Sequence, residues 1–314
     1  MLGRSANGIY WMTRYLERAE NTARLLEVGF RMALTRGPQA ASEEWRSVLV
    51  TIGQDKAYRE RFDDYTGAQV FNFILRGPDN PASVLCMLDN ARSNARTVRT
   101  GLTREAWEAT NEAWMQLRDL LARPVREGNL GEVISAIRGQ TTQVRGAMDG
   151  TMLRNEVFNF ARLGTFIERA DNTARILDVK YYVLLPSLSW VGSSLDNAQW
   201  ETVLRSVAGD RAYRWLNAGR LDPRGIAQFL ILDGRFPRSL AFAYEKLASN
   251  MAGLARQYGG ETQAHALLQA ARAKLQQATI DRVIERGLHE FITEFIADTG
   301  RINQAIAAEY RFIE

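Results

Sequence analysis

Leu16-Glu-Arg-Ala-Glu-Asn-Thr-Ala-Arg-Leu-Leu-Glu-Val28 returns half a chain later as Ile167-Glu-Arg-Ala-Asp-Asn-Thr-Ala-Arg-Ile-Leu-Asp-Val179. From Glu17 onward nine of twelve positions are identical, and the rest are the same-character swaps Glu20/Asp171, Leu25/Ile176 and Glu27/Asp178. Neither copy contains Gly or Pro, and both are rich in helix formers, so each reads as a helix. Met12, Leu16, Ala19, Ala23, Leu26 and Phe30 recur every three or four residues through the first copy. That spacing is an apolar seam, with small residues at its centre that let a partner helix approach closely.

Working outward, the resemblance between the halves continues beyond the motif. Trp200, Val203 and Leu204 answer Trp45, Val48 and Leu49; Asp210 and Tyr213 answer Asp55 and Tyr58; Pro237 and Ser239 answer Pro81 and Ser83. The reading is a whole-chain duplication, which fixes architecture before any local detail. No stretch alternates in the manner of a strand, so the fold class is all-α: an internally duplicated helical bundle with pseudo-equivalent halves at 1–150 and 151–314, fused into one domain. The first helix is expected over Ser5–Arg36, stopped by Gly37-Pro38. Ser42 is expected to cap the second, Asn80 to cap a helix from Pro81 to Thr100, Thr103 to cap another to Ala122, and helices to cover Leu130–Met148 and Leu153–Leu185. The segment Pro186–Ser194 reads as a long loop, tucked onto the bundle or serving as a lid.

The chain has 314 residues, 46% of them hydrophobic, with a net charge of +4. Of 40 basic residues four are lysine, leaving 36 arginines, spread without a basic block. Nucleic-acid binding is therefore not indicated. Arginine suits bidentate pairing with carboxylates, although biased codon usage would produce the same excess. Cys86 is alone and sits in an apolar run, which points to a core position, a reducing compartment and a cytoplasmic protein. No apolar run is long enough to span a membrane. No phosphate loop, dinucleotide fingerprint or nucleophile elbow occurs, and neither His265 nor His289 has a metal-ligand companion, so no cofactor and no metal is expected.

On a helical wheel Arg14, Glu17, Asn21 and Arg24 fall within about 80° of one another, nearly opposite the seam, with Arg18 and Thr22 beside them. Glu168, Asn172 and Arg175 form the twin stripe, with Arg169 alongside; Thr165 stands where Arg14 would recur. A solvated face would have diverged between the halves, as most of the chain did, yet this one agrees as well as the apolar side. Two readings stay open. The stripes form a buried Glu/Asn/Arg network that specifies geometry. Alternatively they line a cleft, with Glu17 and Glu168 as acid/base or cation-binding groups and the arginines holding an anionic substrate. Asp89, Arg92, Arg96 and Arg99 share another face, for which solvation is the simpler account.

The run from Ala6 to Val28, the Pro81–Leu85 and Ser93–Asn111 segments, and Phe160 to Val179 resemble the bacterial alpha-E domain family over nearly the whole chain. Thr165 departs from the Arg usual in that family. The resemblance implies an all-helical protein with no assigned activity, commonly encoded beside a circularly permuted ATP-grasp protein and often near a transglutaminase-like protease. The expected role is therefore an accessory partner of a peptide- or amide-forming ligase, presenting a peptide or the ligase with a Glu/Asn/Arg cleft. An all-α enzyme using Glu17 and Glu168, or a purely structural interaction module, are the alternatives.

Overall fold

The computed structural model describes residues 1, 3–34, 38–182 and 194–312. Among these the regular elements are all helical. The first seven are α1 (Gly3–Leu34), α2 (Pro38–Thr51), α3 (Asp55–Arg59), α4 (Gly67–Arg76), α5 (Val84–Thr97), α6 (Arg104–Leu121) and α7 (Glu127–Thr151). The next four are α8 (Glu156–Tyr182), α9 (Ser194–Ser206), α10 (Asp210–Leu216) and α11 (Pro223–Leu232). The last four are α12 (Leu240–Tyr258), α13 (Gln263–Gln277), α14 (Ile280–Arg286) and α15 (Leu288–Glu309). No described helix is long and apolar enough to cross a membrane.

The chain forms two compact units, Gly8–Gly164 with Met1, and Thr165–Glu314 with Leu2–Asn7. The division falls inside α8, so α7 and the first turns of α8 go with the first unit. In that unit α4, α5, α6 and α7 pack in chain order, with α2 against α3 and α4. In the second, α11, α12 and α13 pack in succession, α15 lies against α13 and α14, and α9 against α10 and α11.

Helix starts follow from short side chains that accept otherwise orphaned amide protons. Thr103 accepts from the Ala106 amide, Ser83 from Cys86, Ser239 from Phe242 and Asp222 from Gly225. Two expected starts move. Ser42 lies inside α2, because the helix begins at Pro38, whose fixed φ suits a first position. Asn80 does not cap: its Oδ1 accepts from the Ala82 amide and its amide group donates to the Phe73 carbonyl, which ties residues 80–83 into a turn and delays α5 to Val84. The expected loop at 186–194 lies outside the described residues except for Ser194, which opens α9.

The first unit's core holds two aromatic clusters. Trp45 stacks on Phe30 and meets Phe71 edge-on, and Gly67 lets its indole lie against α4. Tyr58 is fully buried among Phe62, Tyr65 and Phe73, its hydroxyl donating to the Asp64 carbonyl at 2.7 Å. In the second unit Tyr213 is buried against Phe229, and its hydroxyl donates to the Asp222 carbonyl at 3.3 Å. Burial pushes the hydroxyl pKa of both tyrosines up. Cys86 is half-buried rather than a core residue.

The repeated helices carry the expected seam: Met12, Ala19, Ala23 and Leu26 are fully buried in α1. Within the first unit α1 and α8 touch backbone to backbone. Thr13 Oγ1 donates to the Ala161 carbonyl at 2.8 Å, and a Cβ on Gly164 would stand 2.2 Å from the Tyr10 carbonyl oxygen. Only glycine permits that approach.

Candidate functional site

The polar side of α1 is buried as well as its seam. Arg14, Glu17, Glu20 and Asn21 are all buried, while Arg18 and Arg24 are half-buried. The central acid is Glu20. Arg24, one turn on, donates to its Oε1 through Nε at 3.0 Å and Nη2 at 2.7 Å. Arg145 of α7 donates to its Oε2 and reaches the Oε2 of Glu17 at 3.4 Å. Thr141, one turn before Arg145, lies 3.5 Å from the same Glu20 oxygen. Two carboxylates that water does not reach thus face two guanidiniums that keep 14% and 28% of their side-chain exposure. Burial works against the charge on Arg145, but the facing carboxylates of Glu17 and Glu20 outweigh it and raise its pKa. Arg14 lies over the ring of Trp11 at 4.4 Å, a cation–π contact.

Further along α1, Glu27 accepts from Arg138 at 2.7 Å. Arg138, Thr141 and Arg145 therefore present one face of α7 to the acids of the motif. Sequence reasoning named Glu17 and Arg24 but not Glu20, Arg138 or Arg145. The available signals were the Glu20/Asp171 swap inside the repeat and the i, i+3, i+7 spacing on α7.

The second copy is held differently. Glu168, Arg169 and Thr165 are buried, Asn172 is half-buried and Arg175 is exposed. Arg175 pairs with Asp171 at 2.6 Å, and the two side chains are 47% and 22% exposed. Arg169 lies over Phe166 and donates to the Pro237 carbonyl at 3.3 Å, while Thr173 donates to the Arg238 carbonyl at 2.9 Å. These contacts pin the turn that launches α12 from Ser239. Asp178 pairs with His289 of α15. His289 lies 111 residues beyond Asp178, the interval that separates Arg138 from Glu27. The stripe expected at Glu168, Asn172 and Arg175 is therefore split between a buried acid and an exposed ion pair.

Glu17 and Glu168 belong to different units. The structure brings Glu17 together with Glu20, Arg24 and Arg145. A carboxylate works as a general acid or base when a substrate proton lies within hydrogen-bond reach and its pKa suits the exchange. A Glu17–Glu20 cluster saturated by arginine is instead suited to fixing one helix against another. Among the described residues no group of three His, Cys, Asp or Glu side chains is arranged to hold a metal ion. The other arginine face is tied down in part: Arg92 lies 4.0 Å over Trp114, whose indole donates to Asp89, and Arg99 lies over Trp107.

The chain is similar to uncharacterized proteins of Mycobacterium bovis and of two Mycobacterium tuberculosis strains, at 22% identity over 94% of its length. It spans about a third (35%) of the length of those curated relatives. No solved structure matches it. Residues 1–310 match the family model described as a predicted alpha-helical domain with a conserved ER motif. Glu17-Arg18 and Glu168-Arg169 are such pairs, one in each repeated helix, and the chain belongs to the Alpha-E family.

Proposed function

We propose that this chain is a non-catalytic partner protein of an ATP-grasp-type peptide or amide ligase, working in the cytoplasm. In this reading the Glu17–Glu20–Arg24–Arg145 cluster is a brace that fixes α1 on α7. The observation that carries the reading is the burial and charge balance of that cluster: Glu17 and Glu20 are 1% and 0% exposed and face two guanidiniums. A helix held this rigidly is a good platform for a partner or a peptide. In the mycobacterial relatives the matched region shares its polypeptide with further chain, which fits a module that works alongside others. The circularly permuted ATP-grasp partner itself is taken from the family resemblance.

Co-expression with such an ATP-grasp protein, followed by affinity capture, tests the proposal. The expected result is a stable complex and a change in ligase turnover. No complex and no effect on turnover sinks it. The double variant Glu17→Gln/Glu168→Gln separates brace from catalyst. A brace loses thermal stability, whereas an enzyme built on these acids loses activity with its thermal midpoint nearly unchanged.

A further inference from the structure

A cavity of about 360 Å³ opens in the second unit where α13, α14 and α15 meet. Its size is in the range that small-molecule sites take, about 300–1,000 Å³. The walls are apolar: Leu275, Val283 and Phe295 are buried, with Ala271, Ala278 and Phe291 completing them. The geometry comes from the chain path. α13 ends at Gln277, α14 runs only seven residues, and Gly287 at φ 103° turns the chain into α15. The short α14 spans the gap without filling it.

The rim is polar and mostly committed. Lys274 donates to Glu294 Oε1 at 2.7 Å and to Asp298 Oδ2 at 2.9 Å. Arg286 takes the other Glu294 oxygen, and Arg301 takes the other Asp298 oxygen. All four carboxylate oxygens are thus engaged. Arg282, also on the rim, is exposed, and among the described residues no carboxylate pairs with it. Asp281 beside it is taken by Arg224.

We propose that this cavity binds a small organic monocarboxylate, its single aromatic or branched aliphatic group against Leu275, Val283 and Phe295 and its carboxylate on Arg282. The guanidinium fork matches a carboxylate in a two-point contact. A monoanion is the matching charge, because Lys274 and Arg286 are already committed to Glu294 and Asp298 and Arg282 is left to meet the ligand. The proposal does not depend on the partner reading above.

Isothermal titration of the full chain with 3-phenylpropionate tests it, with 3-phenylpropanol and phenylphosphonate as comparisons. The expected result is saturable one-to-one binding of the carboxylate, at least about tenfold tighter than the alcohol. Arg282→Gln, at an exposed position, is expected to erase that tenfold difference while sparing alcohol binding. Ala271→Leu, which fills the cavity, is expected to abolish both. The proposal is overturned if the carboxylate does not saturate, if alcohol or phosphonate binds as tightly, or if Arg282→Gln leaves the preference intact. Should Ala271→Leu fail to fold, the Arg282→Gln comparison decides alone.

Discussion

Replacing Glu20 by Gln removes one negative charge from a place that water does not reach. The side chain is 0% exposed and receives Arg24 at 2.7 and 3.0 Å as well as Arg145. Glutamine keeps the shape and one acceptor but neutralises neither guanidinium, leaving Arg145 with Glu17 at 3.4 Å and the more distant charge of Asp149. Breaking a fully buried pair costs about 3–5 kcal/mol. Arg24 and Arg145 retain 14% and 28% of their side-chain exposure, so part of their hydration is recovered and the expected loss is smaller, about 2–3 kcal/mol. For a unit of roughly 150 residues that lowers the melting midpoint by about 6–9 °C. Asp171→Asn is the matched control in the second copy. Its partner Arg175 is 47% exposed, so the pair contributes at most ~0.5 kcal/mol, a shift under about 2 °C. Both are read by thermal melts in far-ultraviolet circular dichroism. Equal shifts for the two variants, or a loss below about 1 kcal/mol for Glu20→Gln, would refute the buried-brace argument.

Gly164→Ala adds a Cβ 2.2 Å from the Tyr10 carbonyl oxygen and 2.4 Å from Thr13 Oγ1. The gain in helix propensity is overwhelmed, and a loss of about 1–3 kcal/mol is expected in urea unfolding. Gly139→Ala, inside α7 with nothing within 4 Å of the new methyl, should instead stabilise by about 0.5–1 kcal/mol in the same assay. Ser239→Ala deletes the acceptor for the Phe242 amide and the donor to the Asp233 carbonyl, and should cost about 1–2 kcal/mol. Hydrogen bonds from Lys274 and Arg286 hold the Glu294 carboxyl below its usual pKa of 4.5. The unfolded chain therefore binds the extra proton first. The resulting stability is complete above pH 4.5 and fades as the pH falls through the lower, folded value. Glu294→Gln is expected to give a shallower acid slope in melts below that pH. At this exposure the change at neutral pH is about 0.5 kcal/mol or less.

The all-helical class and the two motif helices were legible because a Gly- and Pro-free amphipathic run admits one regular structure. The Thr103 cap was legible for a similar reason, since its hydroxyl has a local amide to receive. Ser42 and Asn80 were misplaced because several residues in each stretch compete for the cap, and neighbouring turns decide among them. The polar stripe of α1 was visible on a wheel, but its burial was not. A wheel gives angles around one helix and says nothing of what covers each face. Glu20 sits about 60° from Glu17, between stripe and seam, where a period argument assigns it to neither. Arg145 is 128 residues from Glu17, and no local pattern links them. The cavity beside Arg282 was invisible for a different reason: it arises from the short α14 and the turn at Gly287.

A chain that contains two nearly identical helices faces a sorting problem as it folds. Either copy presents the same seam, so either can dock in the other's cradle, the characteristic error of repeated sequences. The cradles differ where it matters. α7 offers Arg145 seven residues after Arg138, and that guanidinium reaches the full-length Glu20. α15 has Ile296, not an arginine, seven residues after His289, and the second motif carries the shorter Asp171, paired with its own Arg175. The wrong copy on α7 would bring a carboxylate one methylene short of the arginine. The wrong copy on α15 would leave Glu20 with its own Arg24 but without the second guanidinium that α7 supplies. The difference in charge and side-chain length makes the exchanged arrangement the poorer fit on α7, where Arg145 meets Glu20.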